Sequence, residues 1–128
     1  MTIEVDLNSE EAIYIQIRNQ VVMGVATSRL SEGDSLPSVR QLAERIGINM
    51  HTVNKAYHVL KQEGFITLDN RRGAVVALDV DRIKALEEVR AQLTLILAKA
   101  SCKRIPREEI HTLVDEIYEE YDYSSDII

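Results

Sequence analysis

The chain has 128 residues, 45% of them hydrophobic, a single cysteine and a formal net charge of −6, a globular composition long enough for one ordinary domain or two small ones. The lone Cys102 excludes an internal disulfide and any cysteine-based zinc finger, because each needs at least two thiols. No window approaches 18 uninterrupted apolar residues, and the opening MTIEVDLNSEEA places acids where a signal peptide needs bases and then an apolar run, so a cytoplasmic protein with no membrane partner is expected.

From Ala12 to Arg29 the residues Ile13, Tyr14, Ile17, Val21, Met23 and Val25 recur at helical spacing, which predicts a first helix behind the cap candidates Asn8 and Ser9. LSEGDSLP then breaks the pattern and reads as a loop. Ser38-Val39-Arg40-Gln41 fits a capping box, with the serine oxygen taking the Gln41 N–H and the glutamine reaching back, so a second helix starts near Val39. Leu42, Ala43 and Ile46 point it inward and Gly47 ends it. Asn49 caps a third helix with Val53, Ala56, Tyr57 and Leu60 as its buried stripe and Gly64 just past its end. Its opposite face displays His51, Asn54, Lys55, His58 and Lys61.

FITLDNRRGAVVAL changes period: two β-prone runs flank the polar turn Asp69 to Gly73, the signal of a hairpin or wing. Two further helices follow, Arg82 to Ala100 and Arg107 to Tyr121, with Pro106 in the first turn of the second. Cys102 reads as a small, half-buried residue near a helix end, and the acidic tail EEYDYSSDII as frayed. The expected fold class is mainly α with a small β-hairpin: an N-terminal winged helix-turn-helix, residues 1–78, then a two-helix C-terminal region for dimerisation, and possible effector binding, residues 79–128.

Two helices crossing steeply need a small residue at the crossing, a glycine in the turn and apolar residues around both. Ala43, Gly47 and the set Leu42, Ile46, Ile48 and Val53 supply them in order. The surrounding stretch closely resembles the DNA-binding domain of GntR-family bacterial transcription regulators. The matching residues are AIYIQI, LSEGDSLPSVRQLA at Leu30 to Ala43, IGINMHTVNKAY at Ile46 to Tyr57, LKQEGFI at Leu60 to Ile66 and RRGAVV at Arg71 to Val76. The short helical remainder resembles the YtrA-type branch, whose members carry only two C-terminal helices.

The resemblance implies that Ser38 and Arg40 touch phosphate or bases near the start of the second helix, with Arg45 further along it. It places Asn49, Met50, His51, Thr52, Asn54 and Lys55 where family members meet the major groove. A methionine cannot hydrogen-bond a guanine edge, so direct readout falls more on His51, Asn54 and Lys55 than on Met50. At the wing Arg71 replaces the first glycine of the family's Gly-x-Gly-x-Phe-Val and Val75 its phenylalanine, which leaves two arginines, Arg71 and Arg72, at a tip suited to the minor groove. The resemblance also implies a homodimer.

The acidity of the chain does not oppose DNA binding, because it is segregated. Residues 35–78 hold six Lys/Arg against three acids, a net of +3, whereas residues 1–34 carry −4 and residues 79–128 carry −5. Screening over ~8 Å limits what distant acids can do, and the basic set suits roughly three to five phosphates per subunit. In the C-terminal region Leu86, Val89, Leu93, Ile96, Leu97, Ile110, Leu113 and Ile117 form apolar stripes too long for a two-helix appendage to cover alone, which points to a dimer interface.

His111, Cys102 and scattered acids give no clustered ligands, so no metal or other cofactor is expected. Neither a phosphate loop nor a nucleophile elbow is present, and Ser38 is better explained as a cap than as a nucleophile, so no enzyme is expected. The reading is a dimeric regulator, a repressor, on a palindromic double-stranded DNA operator. A small-molecule effector stays open, as does a second class of function, a winged-helix module docking an acidic protein partner.

Overall fold

The fold is that of a computed structural model describing residues 2–127, with side chains through Asp122. Its elements are α1 (Ile13–Ala26), α2 (Val39–Ile46), α3 (Met50–Gln62), β1 (Ile66–Asp69), β2 (Gly73–Val76), α4 (Arg82–Cys102) and α5 (Arg107–Ile127). The mainly helical fold with one small hairpin is the one the sequence predicts. Two compact units, Met1–Asp79 and Val80–Ile127, divide the chain.

Helix α1 is shorter at both ends than its periodicity suggests. Ala12 stands at the N-cap with no side-chain cap, because Asn8 and Ser9 are spent on a preceding turn: Asn8 donates its N–H to Asp6 at 2.9 Å and the Ser9 hydroxyl accepts from Glu11 N–H at 3.1 Å. At the other end Ser28 adopts φ 61° and the Gly24 carbonyl accepts from the Arg29 and Leu30 N–H groups at 2.8 and 2.9 Å. The buried face is Ile17, Val21 and Gly24, and Met23 lies outside it, exposed.

The extended segment before α1 is held by two glutamines one helical turn apart. Gln20 accepts from Glu4 N–H at 2.9 Å and donates back to the Glu4 carbonyl. Gln16 accepts from Asp6 N–H at 2.8 Å and donates to the Asp6 carbonyl at 3.0 Å. Each side-chain amide thus pairs with a backbone residue as a neighbouring strand would, and Ile3 is turned into the core.

Helices α2 and α3 follow their caps. Both halves of the Ser38–Gln41 box form, at 3.0 and 3.1 Å, Gly47 ends α2 at φ 70°, and Asn49 accepts from His51 N–H at 2.7 Å. Val53, Ala56, Tyr57 and Leu60 are buried as predicted, packed with Ile17, Val21, Leu42 and Val76. Each fully buried Leu, Ile or Val in this set stabilises the fold by about 1.5–3 kcal/mol.

In the wing, Ile66, Thr67, Leu68 and Asp69 pair antiparallel with Val76, Val75, Ala74 and Gly73. Asp69 accepts from the N–H groups of Arg71 and Arg72 at 2.7 and 3.3 Å, and Gly73 takes the positive φ of 74° that closes the three-residue turn. Arg71 needs no glycine-like backbone. The LSEGDSLP stretch is more than a loop, because it lies along the far side of β2. Gly33 N–H donates to Val76 at 2.8 Å, Val76 N–H to Asp34 at 2.8 Å and Leu36 N–H to Ala74 at 2.8 Å, with a bridge between Ser35 and Val75. Ala74, Val75 and Val76 are all buried, Ala74 and Val76 within the core. The third segment matters because a two-stranded hairpin alone is marginal in water.

In the second unit Asp81 caps α4 by accepting from Lys84 N–H at 3.2 Å. The helix runs to Cys102, two residues past the predicted end, and turns at Arg104, φ 60°, with Ile105 N–H on the Ala100 carbonyl at 3.0 Å. Pro106 sits just before α5 and not within its first turn. Cys102 is exposed, contrary to the half-buried expectation, since no α4 residue is buried. Helix α5 continues to Ile127; the frayed end expected of the tail falls at Ile128, outside the described residues, as do the side chains from Tyr123 on. Among the described residues no helix is long and apolar enough to cross a membrane.

Candidate DNA interface

The helix-turn-helix is fixed at its entrance by a buried hydroxyl. Tyr57 on α3 donates to the Pro37 carbonyl, immediately before α2, at 2.6 Å. Burial pushes the phenol up to about 12, against which the Arg45 charge acts in the opposite direction, so the donor stays protonated at any ordinary pH. The bond ties the start of one helix to the middle of the other, and with Leu42, Ala43, Val53 and Ala56 in the core it sets how α3 is presented.

On that frame Arg40 and Arg45 are exposed on α2, and Met50, His51, Asn54 and Lys55 are exposed on α3, while Thr52 is half-buried. Arg40 and Met50 border one shallow depression of about 380 Å³ with Glu44 and Ile48. Arg45 borders a different cleft, of about 520 Å³, together with Ile3, Leu30, Leu36 and Pro37. Ser38 and the wing tip do come together: Ser38, Asp69, Asn70 and Gly73 line a cleft of about 240 Å³. Ser38 and Asn49 also serve as caps, and their side-chain oxygens already accept backbone N–H groups.

The two wing arginines differ. Arg72 Nη2 donates to the Gly33 carbonyl at 3.1 Å, whereas among the described residues the Arg71 guanidinium has no partner. Two backbone N–H groups hold the exposed Asp69 carboxyl below its ordinary range, Arg71 first and Arg72 second. Sequence reasoning missed three side chains that shape the surface. Tyr14 lies under the Lys55 ammonium, 4.1 Å from ring centroid to Nζ; Tyr57 was read only as core; and Arg18 reaches Glu63 at 3.3 Å, joining α1 to the end of α3. None has a local sequence signal, because every partner is distant in the chain.

In the second unit Leu86, Val89, Leu93, Ile96 and Leu97 are 41–57% exposed, Leu113 and Ile117 are exposed and Ile110 is half-buried. A depression of about 500 Å³ is lined by Ile105, Ile110, Leu113 and the acids Glu108, Glu109 and Glu116. Among the described residues no group of three His, Cys, Asp or Glu side chains could hold a metal ion.

A model of bacterial regulatory proteins of the gntR family matches residues 11–76, from the turn before α1 through the last residue of the wing. The chain belongs to the GntR family. The HTH-type transcriptional repressor YtrA of Bacillus subtilis (strain 168) is 31% identical over 118 residues, 90% of this chain and 91% of that protein. Likeness to this relative therefore extends past the wing into the C-terminal helices. Among solved structures, a transcriptional antiterminator from Listeria monocytogenes EGD-e matches with a TM-score of 0.81 at 32% identity, over 91% of this chain and 90% of its own. YtrA from Sulfolobus acidocaldarius, a GntR-family transcription factor, matches with a TM-score of 0.58 at 42% identity, over 72% of this chain and 97% of its own. The expected YtrA-like GntR type agrees with the family match and with the names of the Bacillus and Sulfolobus relatives.

Proposed function

We propose that the protein is a homodimeric, cytoplasmic transcription repressor that occupies a palindromic operator, with residues 1–78 binding DNA and residues 79–128 forming the dimer. The observation that carries the reading is the pairing of two surfaces in one chain. One is a locally positive winged helix whose polar side chains on α2, α3 and the wing tip are exposed; the other is an apolar stripe on α4 and α5 that stands open to solvent. Family membership and the repressor name of the Bacillus subtilis relative support it.

In this reading His51 and Asn54 read bases in the major groove and Met50 packs on a thymine methyl. Thr52, Arg40 and Arg45 meet backbone, and the N–H groups freed at the start of α2 beside Ser38 receive a phosphate. Asn49 orients the recognition helix through its cap, and Arg71 enters the minor groove. Leu86, Val89, Leu93, Ile96, Leu97, Ile110, Leu113 and Ile117 meet a second copy, which spaces two recognition helices about 34 Å apart along the duplex. The chemistry requires no catalyst and no cofactor.

Fluorescence anisotropy with a duplex from upstream of the protein's own gene tests the proposal. Saturable binding that weakens with salt and exceeds binding to a scrambled duplex is expected. Absence of such binding would overturn it in favour of a module that docks an acidic protein.

A further inference from the structure

Lys55 stands on the exposed face of α3, one turn after His51, yet its ammonium does not extend along that face. It leans back onto α1, 4.1 Å above the ring of Tyr14. We propose that Tyr14 is a positioning residue for DNA binding, holding the Lys55 ammonium at the corner of α1 and α3 as a contact to backbone phosphate and not to base edges. The inference rests on the DNA-binding reading above and deepens it.

Three observations carry it. Tyr14 is half-buried in the first turn of α1, a helix whose next turns are locked by the fully buried Ile17 and Val21, so the ring is a fixed platform. A lysine on a helix surface otherwise spends its ammonium over many rotamers, because the head is a hydrated point charge on a flexible stem. Attraction to a ring face narrows that range. Second, Lys55 makes no ion pair among the described residues. A carboxylate would hold the ammonium and cancel its charge; an aromatic face holds it and leaves both the charge and the remaining N–H donors for an oxygen of the partner. Third, the cation is drawn towards a neighbouring helix, away from the first turn of the recognition helix that reaches base edges. A charge placed at that corner faces the sugar–phosphate strand bordering the groove, where contacts fix register without reading sequence.

The test measures anisotropy over a salt series, using the full chain with the upstream duplex and a scrambled duplex of the same composition. Tyr14→Leu should weaken binding to both by a similar factor, roughly two- to fivefold from the strength of an exposed cation–π contact. Lys55→Met should also weaken both and lower the slope of log K against log salt by about one. Tyr14→Phe keeps the ring face and should bind as the parent does. In a Lys55→Met background Tyr14→Leu should have no further effect, a result that a merely structural Tyr14 does not give.

Loss confined to the upstream duplex, or an undiminished Tyr14→Leu effect without Lys55, overturns the proposal. Should Tyr14→Leu fail to fold, the Lys55 ε-methylene proton resonances decide: ring-current displacement in the parent and in Tyr14→Phe is expected, and ordinary positions in both overturn it. If the parent binds neither duplex, the DNA reading falls and the inference with it. If the parent binds and both variants bind equally well, only the inference falls.

Discussion

The Arg72 guanidinium donates to the carbonyl oxygen of Gly33 at 3.1 Å, which ties the wing tip to the segment lying along β2, while Arg71 beside it has no such tie. Equal treatment of the two arginines is therefore unwarranted. Arg71→Ala should lower DNA affinity and reduce the salt slope by about one while leaving the wing intact. Arg72→Ala should instead speed hydrogen exchange at the Leu36 and Val76 amides of that segment. Identical salt slopes in both variants, with unchanged exchange, would mean that Arg72 meets DNA as directly as Arg71.

The Asp69 carboxyl accepts two N–H groups across the same tip, and its ionisation is lowered from the ordinary 3.8. A depressed folded-state value makes the turn most stable above the ordinary carboxylate range and weakens it as the pH falls through the lowered value. An NMR titration of the Asp69 side chain should have its midpoint below 3.8. A midpoint at or above that figure would show that the turn bonds do not persist in solution.

The Tyr57 phenol is raised from 10.0 to about 12 by burial, so the sign runs the other way. Its stabilising contribution is complete below pH 10 and is lost as the pH rises from the unfolded towards the folded value, on the order of 2 kcal/mol in all. Urea midpoints should fall between pH 10 and 12 in the parent, and this fall should be shallower in Tyr57→Phe. That variant should also be less stable near neutrality by about 0.5–1.5 kcal/mol, having lost the bond to Pro37.

Gly64 has φ 82°, and a Cβ there would stand 2.7 Å from the Asp79 Cβ. Gly64→Ala thus combines left-handed strain of about 1–2 kcal/mol with a clash. A drop of several degrees in the thermal midpoint of the full chain is expected. Gly47→Ala, with open space around its own positive φ, should lose less.

Leu93 in the middle of α4 is 41% exposed, and a charge there cannot be buried against a second copy without a large penalty. Light scattering should give twice the chain mass of 14.5 kDa for the parent and the single chain mass for Leu93→Glu. A parent that scatters as one chain at micromolar concentration would remove the dimer from the proposed function.

The centre of the first unit was legible because its boundaries are written in single side chains. Ser38 with Gln41, Gly47 and Asn49 each act within four residues, so the sequence pattern and the hydrogen bonds coincide. Chain reversals at Ser28 and Arg104 were not legible, since both use a left-handed backbone without a glycine. On α1 the buried position beside Val21 belongs to Gly24 and not to the larger Met23, a choice that apolar periodicity does not reveal. The third wing segment and the Tyr14–Lys55 contact join residues about forty apart, and periodicity carries no information at that range. The exposure of the polar face of α3 follows from the stripe opposite it, whereas the different clefts that Arg40 and Arg45 border and the unequal wing arginines depend on tertiary neighbours.

Residues 33–36 pair along one side of β2 and β1 along the other, so the Val76 N–H and the Ala74 and Val76 carbonyls are engaged outside the hairpin. Strand β1, on the other side of the hairpin, is four residues long and ends in the charged Asp69. Short, charged edges are poor templates for another chain. Under the proposed function, a wing made of β-structure would thus meet an operator without offering neighbouring copies a strand to join.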